Sequence, residues 1–337
     1  MTGFLPALFA SLVVATVLAW LMRRVGIVDM PNERSSHATP TPRGGGLAVM
    51  TGFAAGLILL AVDAPAVAVV LAACLVCGLL AAMIGLLDDL FTLSEGLKFI
   101  ALLALSLVLA GVSGPVDWFL VPLPGVIGLA GSALFLFVLI NGANFMDGSD
   151  GMLVVLMGPP LIGLALLDAG VIGASAALLA AALVGFGLFN APVLGARGSL
   201  FAGDAGSLGL AMVTGGLMLA FAAQDGPSRV FLVAILVLPL LSDVLLTLAA
   251  RVKGKVNLLK AHRCHAYQLL IRLKASHRQV ALIYAGLGWA CVALAWSLSA
   301  AQSWAQACGF VIAVTALGLG HRQVRRRAAA AGKDVYH

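Results

Sequence analysis

Residues 66–89 read AVAVVLAACLVCGLLAAMIGLLDD, a run of 22 residues without a charge closed by the adjacent carboxylates Asp88 and Asp89. A helix of that length matches the hydrocarbon core of a bilayer, for which about 20 apolar residues suffice. Carboxylates at such a depth are costly and are kept mainly where they do chemistry. The same grammar repeats along the chain. Apolar runs cover 4–22, 46–62, 66–87, 97–112, 124–140, 152–167, 171–189, 206–222, 229–249, 280–299 and 302–320. They predict an all-α polytopic membrane protein of about eleven transmembrane helices, ten at the fewest, forming one domain over residues 1–337.

Composition agrees. Of the 337 residues, 62% are hydrophobic and 10% charged, against about a quarter charged in soluble domains. The net charge of +6 does not mark a nucleic-acid binder, because the cations lie between spans. With the amino terminus on the periplasmic side, the cytoplasmic segments are 23–45, 88–96, 141–151, 190–205, 250–279 and 321–337. On that assignment Arg229 alone of the 20 Lys and Arg residues falls outside, and the carboxyl terminus is cytoplasmic. Residues 4–22 have no basic residue before them and Arg23-Arg24 after them, so they read as a retained span rather than a cleaved leader. Cys74 and Cys77 read as small core residues, since no second pair completes a site.

The polar clusters all fall in cytoplasmic segments. Asp88 and Asp89 end the third span, where they oppose the helix dipole and repel each other unless a cation stands nearby. Mg²⁺ binding and general-base work on a phosphate are the roles that suit them; a solvated helix end is the plainer alternative. Lys98 either returns to the same mouth to meet a phosphate or snorkels to the surface. In Asn141-Gly-Ala-Asn144-Phe-Met-Asp147-Gly-Ser-Asp150-Gly151 a spacing of three aligns four oxygen-bearing side chains. Such hard ligands suit Mg²⁺, and the spacing is not that of an EF-hand loop. Asp204, in Gly203-Asp204-Ala-Gly206-Ser207, is a helix cap or a metal ligand.

Two further loops carry candidate phosphate contacts. His262-Arg263-Cys264-His265 offers an Arg fork and two imidazoles, with a spacing unlike that of zinc sites. Arg251, Lys253, Lys255, Arg272, Lys274 and Arg278 around it read as headgroup-facing charges. In Pro40-Thr-Pro42-Arg43-Gly44-Gly45-Gly46 the glycine N–H groups can approach an anion beside Arg43. Asp243 stands alone inside the ninth run and should face the interior with a partner.

Taken in order, Asp29-x-Pro31-Asn32-x-Arg34-Ser-Ser-His37 with Pro-Thr-Pro-Arg43-Gly-Gly-Gly46, Asp88-Asp89, Asn141-x-x-Asn144-x-x-Asp147-Gly-x-Asp150-Gly, Gly203-Asp204-x-Gly-Ser207 and His262-Arg-x-His265-x-Tyr-Gln268 resemble the polyprenyl-phosphate N-acetylhexosamine-1-phosphate transferases, glycosyltransferase family 4. The likeness is strongest to the branch that begins O-antigen and related polysaccharides. It implies transfer of N-acetylhexosamine-1-phosphate from a UDP-sugar to undecaprenyl phosphate in the bacterial inner membrane, releasing UMP and requiring Mg²⁺, or Mn²⁺ in its place. Carried over, Asn144 and Asp204 are metal ligands. Asp88 and Asp89 bind or activate the lipid phosphate. Lys98, Arg263, His262 and His265 hold the diphosphate, and Asp147 and Asp150 line the nucleotide pocket. The implied site draws on loops 23–45, 88–98, 141–151, 190–207 and 250–279. The expected partners are undecaprenyl phosphate, a UDP-N-acetylhexosamine, membrane lipids and a second copy of the chain, and no nucleic acid. The related phospho-N-acetylmuramoyl-pentapeptide transferases have a more histidine-rich fifth loop, so N-acetylglucosamine or a 6-deoxy N-acetylhexosamine is the expected sugar. The rival class is a transporter, whose site would lie near mid-membrane.

Overall fold

A computed structural model describes residues 3–25, 27–29, 40–60, 65–117, 121–192, 197–224, 227–257 and 262–336. Its helices are α1 (Phe4–Val25), α2 (Gly45–Leu59), α3 (Pro65–Phe91), α4 (Glu95–Ser113), α5 (Gly125–Met146), α6 (Met152–Leu167), α7 (Val171–Asn190), α8 (Gly203–Ala222), α9 (Pro227–Leu236), α10 (Leu238–Lys253), α11 (Ala266–Arg272), α12 (His277–Ser297) and α13 (Ser303–Ala330). Between α1 and α2, β1 (Ile27–Asp29) and β2 (Thr41–Arg43) pair antiparallel, Ile27 opposite Arg43. Pro31, Asn32, Glu33, Arg34 and His37 of the first loop lie outside the described residues.

Among the described residues each apolar run is predominantly helical, as lipid requires of a backbone that has no water to bond. Among the described residues, eight helices are long and apolar enough to cross a membrane, nine when α9 and α10 count as one span. Helices α2 and α6 are apolar but shorter, at 15 and 16 residues. The single span read over 229–249 is a broken one: α9 and α10 meet at 73°. Pro239 at the start of α10 lacks the N–H that would bond the preceding turn, and its ring excludes a continuous helix. The outermost helices show their setting. Only 11% of the apolar window of α13 is buried, and Val311 and Ile312 are 60% and 68% exposed, as suits side chains facing lipid.

The centre of the bundle is α8, whose apolar window is wholly buried. It packs most extensively on α3, and also on α2 and α5. Between membrane helices little hydrophobic force acts, so close approach depends on small residues. Glycines supply them here. A Cβ at Gly46 would fall 1.9 Å from the Gly206 Cα, and one at Gly85 would fall 2.4 Å from the Ala205 N. These contacts draw the ends of α2, α3 and α8 together.

The short strand β2 extends this junction. Phe201 N–H donates to the Pro42 carbonyl at 2.8 Å, and the N–H groups of Gly45 and Gly46 donate to Phe201 and Ala202 carbonyls at 3.0 and 3.1 Å. Two of the three glycine amides expected to face an anion therefore fasten the first loop to the entry of α8. Gly46→Ala should lower the thermal midpoint of the detergent-solubilised protein, costing about 3 kcal/mol through forced separation of α2 and α8. Gly111→Ala, whose added Cβ meets nothing within 4 Å, should not lower it. Equal midpoints for both variants would show that the junction tolerates the added methyl.

Candidate active site

The carboxyl-terminal ends of α3 and α5 and the amino-terminal ends of α4 and α8 meet at one end of the bundle. Lys98, on the first turn of α4 and 6% exposed, stands at their centre. Its Nζ lies 2.7 Å from Asp88 Oδ2 and 2.7 Å from Asp204 Oδ2. Of the two readings of Lys98, the return to the mouth is the one the fold adopts. Ser94 accepts the Leu97 N–H and starts α4 there, and Leu93 N–H donates to Asp88 Oδ1 at 2.8 Å, so the α3–α4 turn is folded around the first carboxylate.

Asp89 faces the neighbouring loop. Arg43 Nη1 donates to its Oδ1 at 3.0 Å and Arg43 Nη2 to its carbonyl at 2.5 Å. The Asp204 N–H donates to Asp89 Oδ2 at 3.1 Å. Gly203 makes that contact possible: its φ is +72°, and a Cβ there would stand 2.7 Å from Asp89 Oδ2. Asp204 is the second residue of α8 and not its cap, which is Ala202. It is placed to favour the positive end of the helix dipole while its side chain pairs with Lys98. Asn144 joins through Ser207: Asn144 Nδ2 donates to Ser207 Oγ at 3.0 Å, and Ser207 Oγ donates to the Asp204 carbonyl at 3.3 Å.

Asp147 follows α5 and is the bridge to the second half of the site. Burial pushes its carboxyl well above the usual range, and the nearby charges of Asp204, Asp89 and Asp150 push it further. Gly148 beside it lies under Tyr267, whose hydroxyl would be 2.3 Å from an added Cβ. Asp150 is 8% exposed and accepts the Gly198 N–H at 3.0 Å. Asn141 donates back to the Phe137 carbonyl at 2.7 Å within its own helix. Asp150 thereby ties the turn after α5 to the loop before α8, while Asn141 bonds within α5.

The histidine loop is built on Asp243, the acid whose partner the sequence left unnamed. Its carboxylate accepts the Ala266 N–H at 2.8 Å, the Tyr267 N–H at 3.2 Å and the Tyr284 hydroxyl at 2.5 Å. His265 Nδ1 lies 3.6 Å away and His321 Nε2 3.8 Å. A buried carboxylate thus anchors the start of α11. Tyr267 hydroxyl then donates to the Phe145 carbonyl at 3.2 Å, tying the loop to the end of α5. The His262 and His265 rings lie against each other, centres 4.9 Å apart and tilted by 34°, and Cys264 Sγ is 3.1 Å from His262 Nδ1. Burial, then the charges of His265, Arg251 and Arg325, lowers the His262 pKa to about 3. Arg263 is half-buried in the same loop, and its carbonyl accepts from Arg272 at 3.3 Å.

Two arginines read as headgroup charges belong to this scaffold instead. Arg251 is 1% exposed; it donates to the Tyr336 carbonyl at 2.7 Å and the Asn257 carbonyl at 2.5 Å. Arg272 donates to the Asp334 carbonyl at 2.6 Å. Each guanidinium takes backbone carbonyls of residues 334–336 against the loop. Asn190 was missed for a simpler reason, since it ends an apolar run without a charge. It accepts the Gly151 N–H at 3.1 Å and donates to the Leu200 carbonyl at 3.0 Å, joining two site loops.

A polytopic membrane protein with carboxylates, one lysine and paired histidines gathered at one end of its bundle is the class that fold and site define. The glycosyl transferase family 4 model matches residues 71–222, which hold Asp88, Asp89, Lys98, Asn144, Asp147, Asp150 and Asp204. The chain is 30% identical over 303 residues to the decaprenyl-phosphate N-acetylglucosaminephosphotransferase of Mycobacterium tuberculosis, over 78% of this chain and 73% of that protein. It is similarly 30% identical to the Mycobacterium leprae protein of the same name, over 78% and 74%. A probable undecaprenyl-phosphate N-acetylglucosaminyl 1-phosphate transferase of Bacillus subtilis is 26% identical over 173 residues, 49% of this chain and 46% of that protein. The chain belongs to glycosyl transferase family 4, the polyprenyl-phosphate N-acetylhexosamine-1-phosphate transferase family.

Two outcomes test the histidine loop. Asp243→Ala strands two buried N–H donors and should cost about 4 kcal/mol, seen as faster hydrogen exchange over 266–272; unchanged exchange there would refute the anchoring role. His262 sheds its proton in the folded chain but keeps it up to pH 6.5 when unfolded. Unfolding therefore takes up a proton between pH 3 and 6.5, and stability should fall as pH drops through that window. In His262→Gln the thermal midpoint should depend less on pH there.

Proposed function

We propose that this chain transfers N-acetylglucosamine-1-phosphate from its UDP-sugar to undecaprenyl phosphate, giving undecaprenyl-diphospho-N-acetylglucosamine and UMP, as the first membrane step of an O-antigen or related surface polysaccharide. The observation that carries the reading is the Lys98 bridge between Asp88 and Asp204. It is a cation held by acids at a helix-end cluster, ready to exchange a carboxylate for a phosphate. The names of the relatives favour N-acetylglucosamine over a 6-deoxy sugar. The distribution of Lys and Arg favours a cytoplasmic active face, where a nucleotide sugar can reach a lipid phosphate. A transporter is disfavoured, because Asp243 inside its span is used to anchor a loop.

The bond made joins a lipid-phosphate oxygen to the sugar-bearing phosphorus; the bond broken is the bridge to the nucleoside phosphate, which leaves as UMP. The side chain of Asp88 is 18% exposed against 11% for Asp89. Its partner is a flexible lysine, whereas Asp89 is held by a guanidinium and the α8 amide. Asp88 is therefore the carboxylate that takes the lipid-phosphate proton, and Asp89 positions Arg43 and α8. Lys98 moves from Asp88 to phosphate oxygens. His262, neutral at working pH, and Arg263 hold the donor diphosphate, with His265 placing them. Asp147, beside Tyr267, faces the donor between the two halves of the site.

The donor set also fits a divalent cation. Among the described residues, Asp88, Asp89, Asp147 and Asp204 outnumber Lys98 and Arg43, and the charges of Asp204 and Asp89 add to the burial that raises the Asp147 carboxyl. No three His, Cys, Asp or Glu side chains among the described residues enclose an ion by themselves. That suits Mg²⁺, which keeps waters and substrate phosphates in its shell. Asp204 and Asn144 would hold it, and when bound it would offset charge on the diphosphate and on departing UMP.

UMP release by purified protein should require both undecaprenyl phosphate and Mg²⁺. Asp88→Asn should lower kcat about 10³-fold with little change in thermal midpoint, and Asp204→Ala should abolish turnover. Near-wild-type rates in either variant, or UMP release without the lipid, would remove the basis of the proposal.

A further inference from the structure

We propose that the crevice between α11, α12 and α13 binds one anionic phospholipid of the surrounding membrane. The crevice is about 600 Å³ and lies at the carboxyl-terminal end of α11, with Lys274, Gln279, Leu282, Ile283, Gln323 and Arg327 on its walls. No acid lines it. Lys274 and Arg327 are both exposed, and neither side chain has an ion pair or hydrogen bond among the described residues. This sets them apart from Arg251, Arg272 and Arg325 close by, each of which donates to backbone carbonyls.

The position of Lys274 is set by the backbone. Its N–H bonds the Ile271 carbonyl at 2.9 Å and the Ala275 N–H bonds the Leu270 carbonyl at 3.1 Å, the double closure that ends α11. The residue at that point has φ +71°, a place where glycine is usual. A lysine there accepts a strained backbone and lines the crevice.

The polar and apolar walls are ordered by depth. Gln279 is on the first turn of α12, beside Lys274. Leu282 and Ile283 lie about 5 Å further along the helix, and are 62% and 45% exposed. A phosphate at the level of the cations would direct its acyl chains along these two side chains. Basic pockets between membrane helices take anionic headgroups on this principle. The apolar wall favours a lipid over a free phosphate, which has no use for it.

Full-chain protein purified in mild detergent, with native mass spectrometry counting retained lipid, tests this directly. Phosphatidylglycerol should be retained about thirtyfold more tightly than phosphatidylcholine, with millimolar inorganic phosphate unable to displace it. Lys274→Gln with Arg327→Gln should erase the preference. If that variant fails to fold, Lys274→Gln alone decides, with an expected loss of about fivefold. A folded double variant that keeps the preference, or displacement by inorganic phosphate as readily as by lipid, overturns the proposal. The readout is lipid retention, so its failure would leave the transferase reading intact.

Discussion

A lysine ammonium 2.7 Å from each of two carboxylates is the interaction around which the described site is arranged. Removing Asp88 or Asp204 would still leave Lys98 paired with the other carboxylate. Removing Lys98 would leave two acids facing each other, with Asp89 close behind. Breaking one member of a buried ion pair costs far more than the pair itself contributes. The helix ends must therefore meet to within hydrogen-bond precision. Gly46, Gly85, Gly203 and Gly206 satisfy that requirement by letting backbones close to distances that a side chain would forbid.

The same logic governs the second half of the site through a different acid. Asp243 lies within α10, which begins after a 73° break. The break turns α10, and the carboxylate then captures the first two amides of α11. A helix of seven residues has little stability of its own. Here its amino-terminal donors are satisfied by a full charge from another helix, and its far end by the closure at Lys274. The histidines ride on that short rigid element, and Tyr267 fixes its distance from α5.

What could be read from the chain follows from which forces act locally. Burial in lipid is a property of each segment, so the apolar runs located the helices, though α5 and α13 run six and ten residues past the ends of their runs and the run 229–249 is broken at Val237. Carboxylates in an apolar chain are rare enough that Asp88, Asp89, Asp147 and Asp204 stood out. Pairing is not local: Lys98 and Asp204 are 106 positions apart, and spacing alone left Lys98 open between two fates. Nor is the use of an amide: Gly45 and Gly46 look the same in sequence whether their N–H groups face an anion or a carbonyl. Arg251 shows the limit from the other side. A charge at a helix end suggests a headgroup contact, and only the path of residues 334–336 reveals that its guanidinium is filled by carbonyls.

The partners of the acids also bear on how the site can respond to phosphates. Asp89 is bound by groups that belong to the architecture, a guanidinium pinned to the Asp89 carbonyl and the first turn of the central helix. Asp88 is bound by a turn amide and by Lys98, a side chain with four rotatable bonds. An incoming dianion competes for the most mobile donor first, because moving it costs side-chain rearrangement and not a helix displacement. Substrate charge should therefore separate Lys98 from Asp88 while Asp89 stays in place. That asymmetry assigns different work to two adjacent and otherwise identical residues, and it arises from the α4 turn rather than from either carboxylate.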